Sequence, residues 1–328
     1  MSGATSGVGG SSSSGVGVTG AGGTVSASSG GTTGATTSSG AGGQGGTGAA
    51  TSSGGASGAA TASGSGGASG AGGTGESAGA GGSGGAPGSA PYKGLAFYEV
   101  GRPRDECADL DALGVAWFYN WSGSSSCESA AEFVPQIWGS WEALSWVPEP
   151  SEVVAAGHPA VLGFNEPDHT GESNLTVEQA LSLWEEMDLA GVRVGSPATA
   201  SDGQTWFEAF MQGVAERSLR IDFIAIHWYG WTNSCDSTAP FENYIEWAEQ
   251  WELPIWITEW GCYAQSEELT HGFYNDAVAM LANHPLVERY AWFRSYQDDP
   301  NWVNGALVEQ DGALTPLGED YAAAPPLR

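Results

Sequence analysis

From Lys93 to the end of the chain, two hydrophobic periods alternate. Short apolar runs of the kind that form buried strands fall at 94–98, 115–121, 133–139, 161–164, 192–197, 221–229, 254–260 and 287–293, with Pro135 interrupting the third. Between them, apolar positions recur at helical spacing. Val177, Ala180, Leu181, Trp184 and Met187 make one such face, and Trp206, Phe207, Phe210, Met211 and Val214 another. Thr176 and Gln179 spell a capping box that starts the first of these helices, and Gly191 is placed to end it. Further helices are expected at 105–113, 151–156, 241–248 and 273–281. Eight strands interleaved with helices in about 237 residues predict an α/β fold, a compact (β/α)8 TIM barrel. An open doubly wound sheet is the alternative, and the missing Gly-rich turn after the first strand counts against it.

Composition divides the chain in two. Residues 1–91 are almost wholly Gly, Ser, Ala and Thr, with Glu76 as the one charged side chain. Such a segment buries too little apolar surface to offset its ordering entropy, so a disordered low-complexity tail is expected, followed by one folded domain over 92–328. No strand precedes its glycines and no helix follows, so they do not read as a phosphate loop. The whole chain carries 9 Lys and Arg against 38 Asp and Glu, a formal net charge of −29. That balance argues against nucleic acid or an anionic membrane as partner. It suits a neutral ligand, and equally serves solubility alone. No apolar run approaches membrane-spanning length, so no membrane insertion is expected, and a monomer is.

Cys107, Cys127, Cys235 and Cys262 form no Cys-x-x-Cys pair and have no zinc-like His spacing. No metal or cofactor is expected. Four cysteines allow three connectivities. All four fall at expected loops or element ends, which favours disulfides and an extracellular, oxidising setting, either secreted or tethered through the N-terminal linker. A charged leader with an apolar stretch behind it is not visible. Cys235 and Cys262 follow the sixth and seventh strands, neighbours in a barrel, which points to that pair. Cys107 and Cys127 would then tie the first helix to the loop after the second strand.

The run 161–168, Val-Leu-Gly-Phe-Asn-Glu-Pro-Asp, drives mostly apolar residues into Asn165, Glu166 and Pro167. Pro167 cannot donate to a ladder and biases Glu166 towards extended backbone, so strand pairing should stop there. The run 254–261 delivers Glu259 in the same way, 93 residues later. Barrel active sites lie at the carboxyl ends of the strands, where Asn120, Trp138, Glu166, His227, Tyr229, Glu259 and Trp292 all fall. Two strand-end carboxylates in different surroundings are what glycoside hydrolysis uses, although each alone also fits a solvated strand terminus. Fifteen tryptophans add flat apolar area suited to sugar rings. Trp121, Trp138, Trp141, Trp228, Trp260 and Trp292 lie at or just beyond strand ends and are nominated as cleft lining. Trp184, Trp206 and Trp247 sit on helices and read as packing. His158, His169, His271 and His284 show no chemical pattern.

Segments 163–168 (Gly-Phe-Asn-Glu-Pro-Asp), 227–230 (His-Trp-Tyr-Gly) and 256–262 (Trp-Ile-Thr-Glu-Trp-Gly-Cys), with 117–121 and 133–139, resemble glycoside hydrolase family 128. The resemblance covers the domain and none of the tail. Asn-Glu-Pro alone is shared by many barrel glycosidases, and the order of the segments is what makes the likeness specific. It implies a small barrel acting as a retaining endo-β-1,3-glucanase on laminarin-type β-1,3-glucan, with Glu166 as acid/base and Glu259 as nucleophile. Residue chemistry agrees. A proton donor needs apolar or anionic surroundings, which Phe164 and Glu259 offer Glu166, and a nucleophile needs hydrogen-bond donors, which His227 and Tyr229 offer Glu259. Asn165 is placed to bond a sugar 2-hydroxyl. The alternatives are a barrel enzyme cutting another β-glycan, such as β-1,4-glucan or mannan, and a glucan-binding protein with little turnover. Linkage preference lives in cleft shape, and the presence of both glutamates disfavours the pure binder.

Overall fold

The computed structural model describes residues 92–231 and 233–324, and the expected tail 1–91 lies outside them. The chain divides into units 1–79 and 80–328, and every described residue belongs to the second. Eight strands follow in order: β1 (Tyr92–Ala96), β2 (Trp117–Tyr119), β3 (Glu132–Phe133), β4 (Ala160–Val161), β5 (Arg193–Val194), β6 (Ile224–Gly230), β7 (Ile255–Cys262) and β8 (Val287–Phe293). Seven α-helices among the described residues alternate with them: α1 (Ala108–Ala112), α2 (Pro150–Ala156), α3 (Val177–Trp184), α4 (Gln204–Arg217), α5 (Ala239–Ala248), α6 (Glu267–Leu281) and α7 (Pro316–Ala323).

All ladders between these eight strands are parallel. Regular ladders run β3-β2-β1-β8-β7-β6, and β4 pairs separately with β5. Two isolated parallel bridges span the gaps, Gln136 to Leu162 between the β3 and β4 segments and Gly195 to Phe223 between β5 and β6. Ile137 N–H donates to Leu162 O at 3.0 Å, and Ser196 N–H to Phe223 O at 2.9 Å. Parallel contact therefore runs round all eight strands, as in a (β/α)8 barrel.

Alternation along the strands sorts side chains into two layers. Ala96, Trp117, Tyr119, Val134, Leu162, Phe223, Trp256 and Ala291 form the inner cluster. Leu95, Phe118, Val161, Ile224, Ile226, Ile255, Ile257 and Tyr290 face the helices in the larger outer cluster. The inner layer has room for a Trp and a Phe because glycines face them: a Cβ at Gly94 would overlap the Trp117 indole, and one at Gly195 the Phe223 ring.

At the amino-terminal end of the strands, the inner layer closes on paired charges. Arg193 meets Glu288 through two bonds of 2.8 Å, and Arg289 meets Glu132 at 2.9 Å. The Arg289 guanidinium lies 4.0 Å from the Trp256 ring centre. Burial works against an ionised Glu288, but bonds from Arg193 and Trp256 outweigh it and hold its pKa below the ordinary carboxylate value. Beside this floor, Lys93 Nζ donates to the Tyr321 and Ala324 carbonyls at 2.7 and 2.8 Å, tying α7 to β1. Burial pushes Lys93 down to about 8.

The third, fourth and fifth runs are strands over only two residues each, and two helices also differ from the sequence reading. Thr176 and Gln179 do form the capping box, with Gln179 N–H donating to Thr176 Oγ1 at 3.3 Å and Thr176 N–H to Gln179 Oε1 at 2.9 Å. Yet α3 stops at Trp184 rather than running to Gly191. Glu185, Glu186 and Asp188 place negative charge where the helix dipole opposes it. Met187 and Leu189 stay buried, in irregular backbone beyond the helix. The second difference is α7, which the strand-counting missed. Its signal is Thr315, whose Oγ1 accepts from Gly318 N–H, followed by Pro316 in the first turn. Disulfides join Cys107 to Cys127 and Cys235 to Cys262, the two pairings drawn from the sequence.

Candidate active site

In its middle, β7 carries one more residue than either neighbour. Ile257 pairs with Ile226 and Tyr290, whereas Trp260 pairs with Trp228 and Trp292, so three steps on β7 match two on each flank. The extra residue reverses the alternation. Trp256 faces the barrel interior and Ile257 the helices, but beyond the bulge it is Glu259 that points inward and Trp260 that points out. Thr258 anchors the irregularity, its hydroxyl donating to Ile226 O at 3.2 Å.

Glu259 is almost wholly buried and surrounded by donors. Its Oε1 accepts from the Tyr119 hydroxyl at 2.9 Å and from the Trp121 indole N–H at 2.8 Å, and its Oε2 accepts from the Tyr229 hydroxyl. Burial first, and then the charge of Glu259, pushes both phenols far above their ordinary pKa, so they act as donors throughout the working range. His227 is fully buried between two carboxylates. Its Nδ1 lies 3.0 Å from Glu166 Oε1 and its Nε2 3.4 Å from Glu259 Oε1. Burial lowers the His227 pKa, but the charges of Glu259 and Glu166 outweigh it and the net direction is up. One oxygen of Glu166, one of Glu259 and a His227 nitrogen all lie within 4.8 Å of one another.

Glu166 corrects an expectation. The regular ladder of β4 ends at Val161 and an isolated bridge from Asn165 to Ala198 lies just before Glu166, but Glu166 is not extended: its φ is +39°, the left-handed region that a non-glycine residue occupies at a cost of roughly 1–3 kcal/mol. The surroundings hold it there. Its N–H donates to Ala198 O at 2.7 Å, its carbonyl accepts from His169 N–H at 2.9 Å, and the Pro167 carbonyl accepts from Leu175 N–H at 2.9 Å. The same loop brings Glu172 and His169, each with one atom within 4.8 Å of the other and of Glu166. His169, which showed no pattern in the sequence, is therefore a neighbour of the site. Asn165 Nδ2 donates to Glu172 Oε2 at 3.1 Å.

The aromatic nominations divide. Trp121 sits against Glu259, and Trp138 packs at a tilt on the half-exposed Trp146, ring centres 5.1 Å apart, while its carbonyl accepts from Asn165 N–H at 2.8 Å. Asn120 shapes its own loop, donating to Ser124 O and accepting from Ser122 N–H. Trp141 lines a separate groove of about 490 Å³ with Pro150 and Leu189, away from Glu166 and Glu259. Trp228, Trp260 and Trp292 do not line the cleft. They lie in the outer layer, where Trp228 stacks on Phe273 and Trp260 on Phe241 and Tyr274, while Trp292 packs edge-on against Trp260. Strand alternation sends Trp228 and Trp292 outward, and the β7 bulge does so for Trp260. Tyr119 was missed because it reads as the interior of an apolar run. Trp302, beyond the last expected strand, was missed too, and it packs on Tyr229 and Phe293 at 5.0 and 5.2 Å.

Residues 94–321 match the family model described as the glycosyl hydrolase catalytic core. A family 128 subgroup I endo-β-1,3-glucanase from Amycolatopsis mediterranei, solved with laminaripentaose, is 32% identical, with a TM-score of 0.62 over 71% of this chain and 99% of that one. The chain belongs to glycoside hydrolase family 128. It is a glycoside hydrolase, and other members resemble it over the same span. A subgroup II endo-β-1,3-glucanase from Sorangium cellulosum is 27% identical, with a TM-score of 0.61 over 71% of this chain and 98% of that one. A subgroup III curdlan-specific exo-β-1,3-glucanase from Blastomyces gilchristii is 29% identical, with a TM-score of 0.57 over 70% and 97%. Among curated proteins, Alkali-sensitive linkage protein 1 of Schizosaccharomyces pombe is 31% identical over 224 residues, 63% of this chain but only 40% of that protein's length.

Proposed function

We propose that this family 128 hydrolase is a retaining endo-β-1,3-glucanase. The observation that carries the reading is the pair of carboxylates facing each other across His227, with oxygens within 4.8 Å. A retaining enzyme needs carboxyl groups about 5–5.5 Å apart, an inverting one about 6.5–9.5 Å to admit a water. The donor sets support the division of roles. Three neutral donors converge on Glu259, which suits an ionised, oriented nucleophile, whereas Glu166 is held through His227 and its own loop at the cleft edge. In the first step Glu259 attacks the anomeric carbon, the glycosidic C–O bond breaks, and Glu166 passes its proton to the leaving oxygen. In the second, Glu166 takes a proton from water, which displaces Glu259 and releases the sugar. Asn165, at the cleft beside Glu166, is assigned to a sugar 2-hydroxyl. The substrate class follows from the family 128 relatives that were solved with laminari-oligosaccharides. Trp121, Trp138, Trp146 and Trp302 are proposed as cleft aromatics. The two disulfides support an extracellular site of action, with residues 1–91 as a tether to a monomeric domain 92–328.

Incubation with laminarin, cellulose and mannan tests the substrate: laminari-oligosaccharides from laminarin alone are expected, and release of glucose alone would replace endo with exo action. Azide tests the mechanism. Glu259→Ala should give a glycosyl azide of inverted configuration, and Glu166→Ala, on an aryl glycoside, one of retained configuration. Proton NMR showing the opposite outcomes would exchange the two roles.

A further inference from the structure

Asn165 has an amide whose two ends are treated unequally. Its Oδ1 is buried and accepts from no donor, while its Nδ2 donates to Glu172 Oε2 at 3.1 Å. A carboxylate repels an amide oxygen and attracts an amide N–H, so Glu172 is the group that decides which way this amide points. The placement of Glu172 is built into the loop after β4. Ser173 N–H donates back to Asn165 O at 3.3 Å, Glu172 N–H to His169 O at 3.1 Å and His169 N–H to Glu166 O at 2.9 Å. This returns the sixth residue after Glu166 to its side, with carboxylate oxygens of the two within 4.8 Å.

We propose that Glu172 is a positioning residue of the active site, which fixes the Asn165 amide with its nitrogen towards the cleft. One N–H is then taken by Glu172 and the second is left to donate to a sugar hydroxyl at the scissile bond. Turned over, the amide would offer an oxygen there and bury its N–H groups without partners, which is the costlier arrangement. Burial, and after it the charges of Glu166 and Glu259, raise the Glu172 pKa, as expected for a carboxylate held at the cleft rather than in free solvent. The inference rests on the glucanase reading for the identity of the sugar, but not for the orientation of the amide.

Glu172→Leu keeps bulk and removes the acceptor, whereas Glu172→Gln keeps an acceptor oxygen. On aryl β-laminaribioside, Glu172→Leu should lower kcat about 10- to 100-fold with little change in KM, and Glu172→Gln should recover most of the loss. On the analogue lacking the 2-hydroxyl of the sugar bonded to the aryl group, Glu172→Leu should cost little beyond what the unaltered protein already loses. Equal losses on both substrates, or none on either, would overturn the proposal. The side-chain 15N–1H2 signals of Asn165, assigned through Asn165→Asp, read the same point without any glycan. They should shift and broaden in Glu172→Leu, and unchanged signals would refute the orientation role. If the unaltered protein cuts no β-1,3-glucoside while these signals do move, the glucanase reading fails and this inference stands.

Discussion

Two pairs of acids in the barrel are treated in opposite ways. Each end places a glutamate at a register irregularity of the β7–β8 pair, Glu288 at the amino-terminal end and Glu259 at the carboxyl-terminal end. At the lower end both acids of the pair meet a guanidinium: Arg193 grips Glu288 and Arg289 meets Glu132, with the cations laid over Trp256. At the upper end, among the described residues, Glu166 and Glu259 have neither Lys nor Arg as partner, and their contacts are two phenols, an indole and one imidazole. A full opposite charge neutralises a carboxylate and takes it out of chemistry. Neutral donors orient it and leave its charge available to an electron-poor carbon. The same residue type is thus a structural cement in one place and, on the proposed mechanism, a reagent in the other.

The contrast breaks first if the lower end matters to turnover. Arg193→Met leaves Glu288 buried without its cation, and we expect a loss of about 3 kcal/mol in urea unfolding with kcat of the folded fraction unchanged. A kcat that falls with stability would join the two ends into one device. Next in size, Tyr229→Phe removes one donor from Glu259. It should lower kcat on laminarin about 10- to 100-fold while the melting temperature moves little, because a bond to a charged group is worth about 1.5–3 kcal/mol. A large stability loss with intact kcat would make Tyr229 a packing residue. The smallest effect sharpens the lower end alone. The pKa of Glu288 is depressed in the folded chain, so its share of stability is present above the unfolded carboxylate value and is lost as pH falls through the folded one. The stability deficit of Arg193→Met should therefore narrow in acid, and a deficit that stays constant from neutral pH to below the ordinary carboxylate range would show that the pair is not the cause.

What was legible in the sequence follows from how local each signal is. The eight apolar runs and the Thr176 capping box are contiguous patterns, and they delivered the barrel and the start of α3. Glu166 and Glu259 were picked out because each closes an apolar run, with Pro167 behind the first, although β7 itself runs on to Cys262. The direction of Trp260 was not, because an extra residue on β7 shows only against β6 and β8, whose partners lie about thirty residues away on either side. Tyr119 was hidden by the opposite problem. It looks like any other residue of an apolar strand until the barrel closes and its hydroxyl arrives at Glu259. The left-handed backbone of Glu166 runs against the local bias set by Pro167, and only contacts to Ala198 and His169 account for it.

The extra residue of β7 is a spacer, inserted between a stretch that pairs regularly before it and one that pairs regularly after it. Substituting Thr258 would remove one hydroxyl contact, to Ile226 O. Deleting it would leave two steps on β7 against two on each flank, a regular ladder in which Ile257 still pairs with Ile226 and Glu259 with His227. Glu259 would still face inward and Trp260 outward, and what would go is the bulge and the local twist it gives the strand. Thr258 is thus a spacer in the backbone, and the facing of its neighbours would survive its removal.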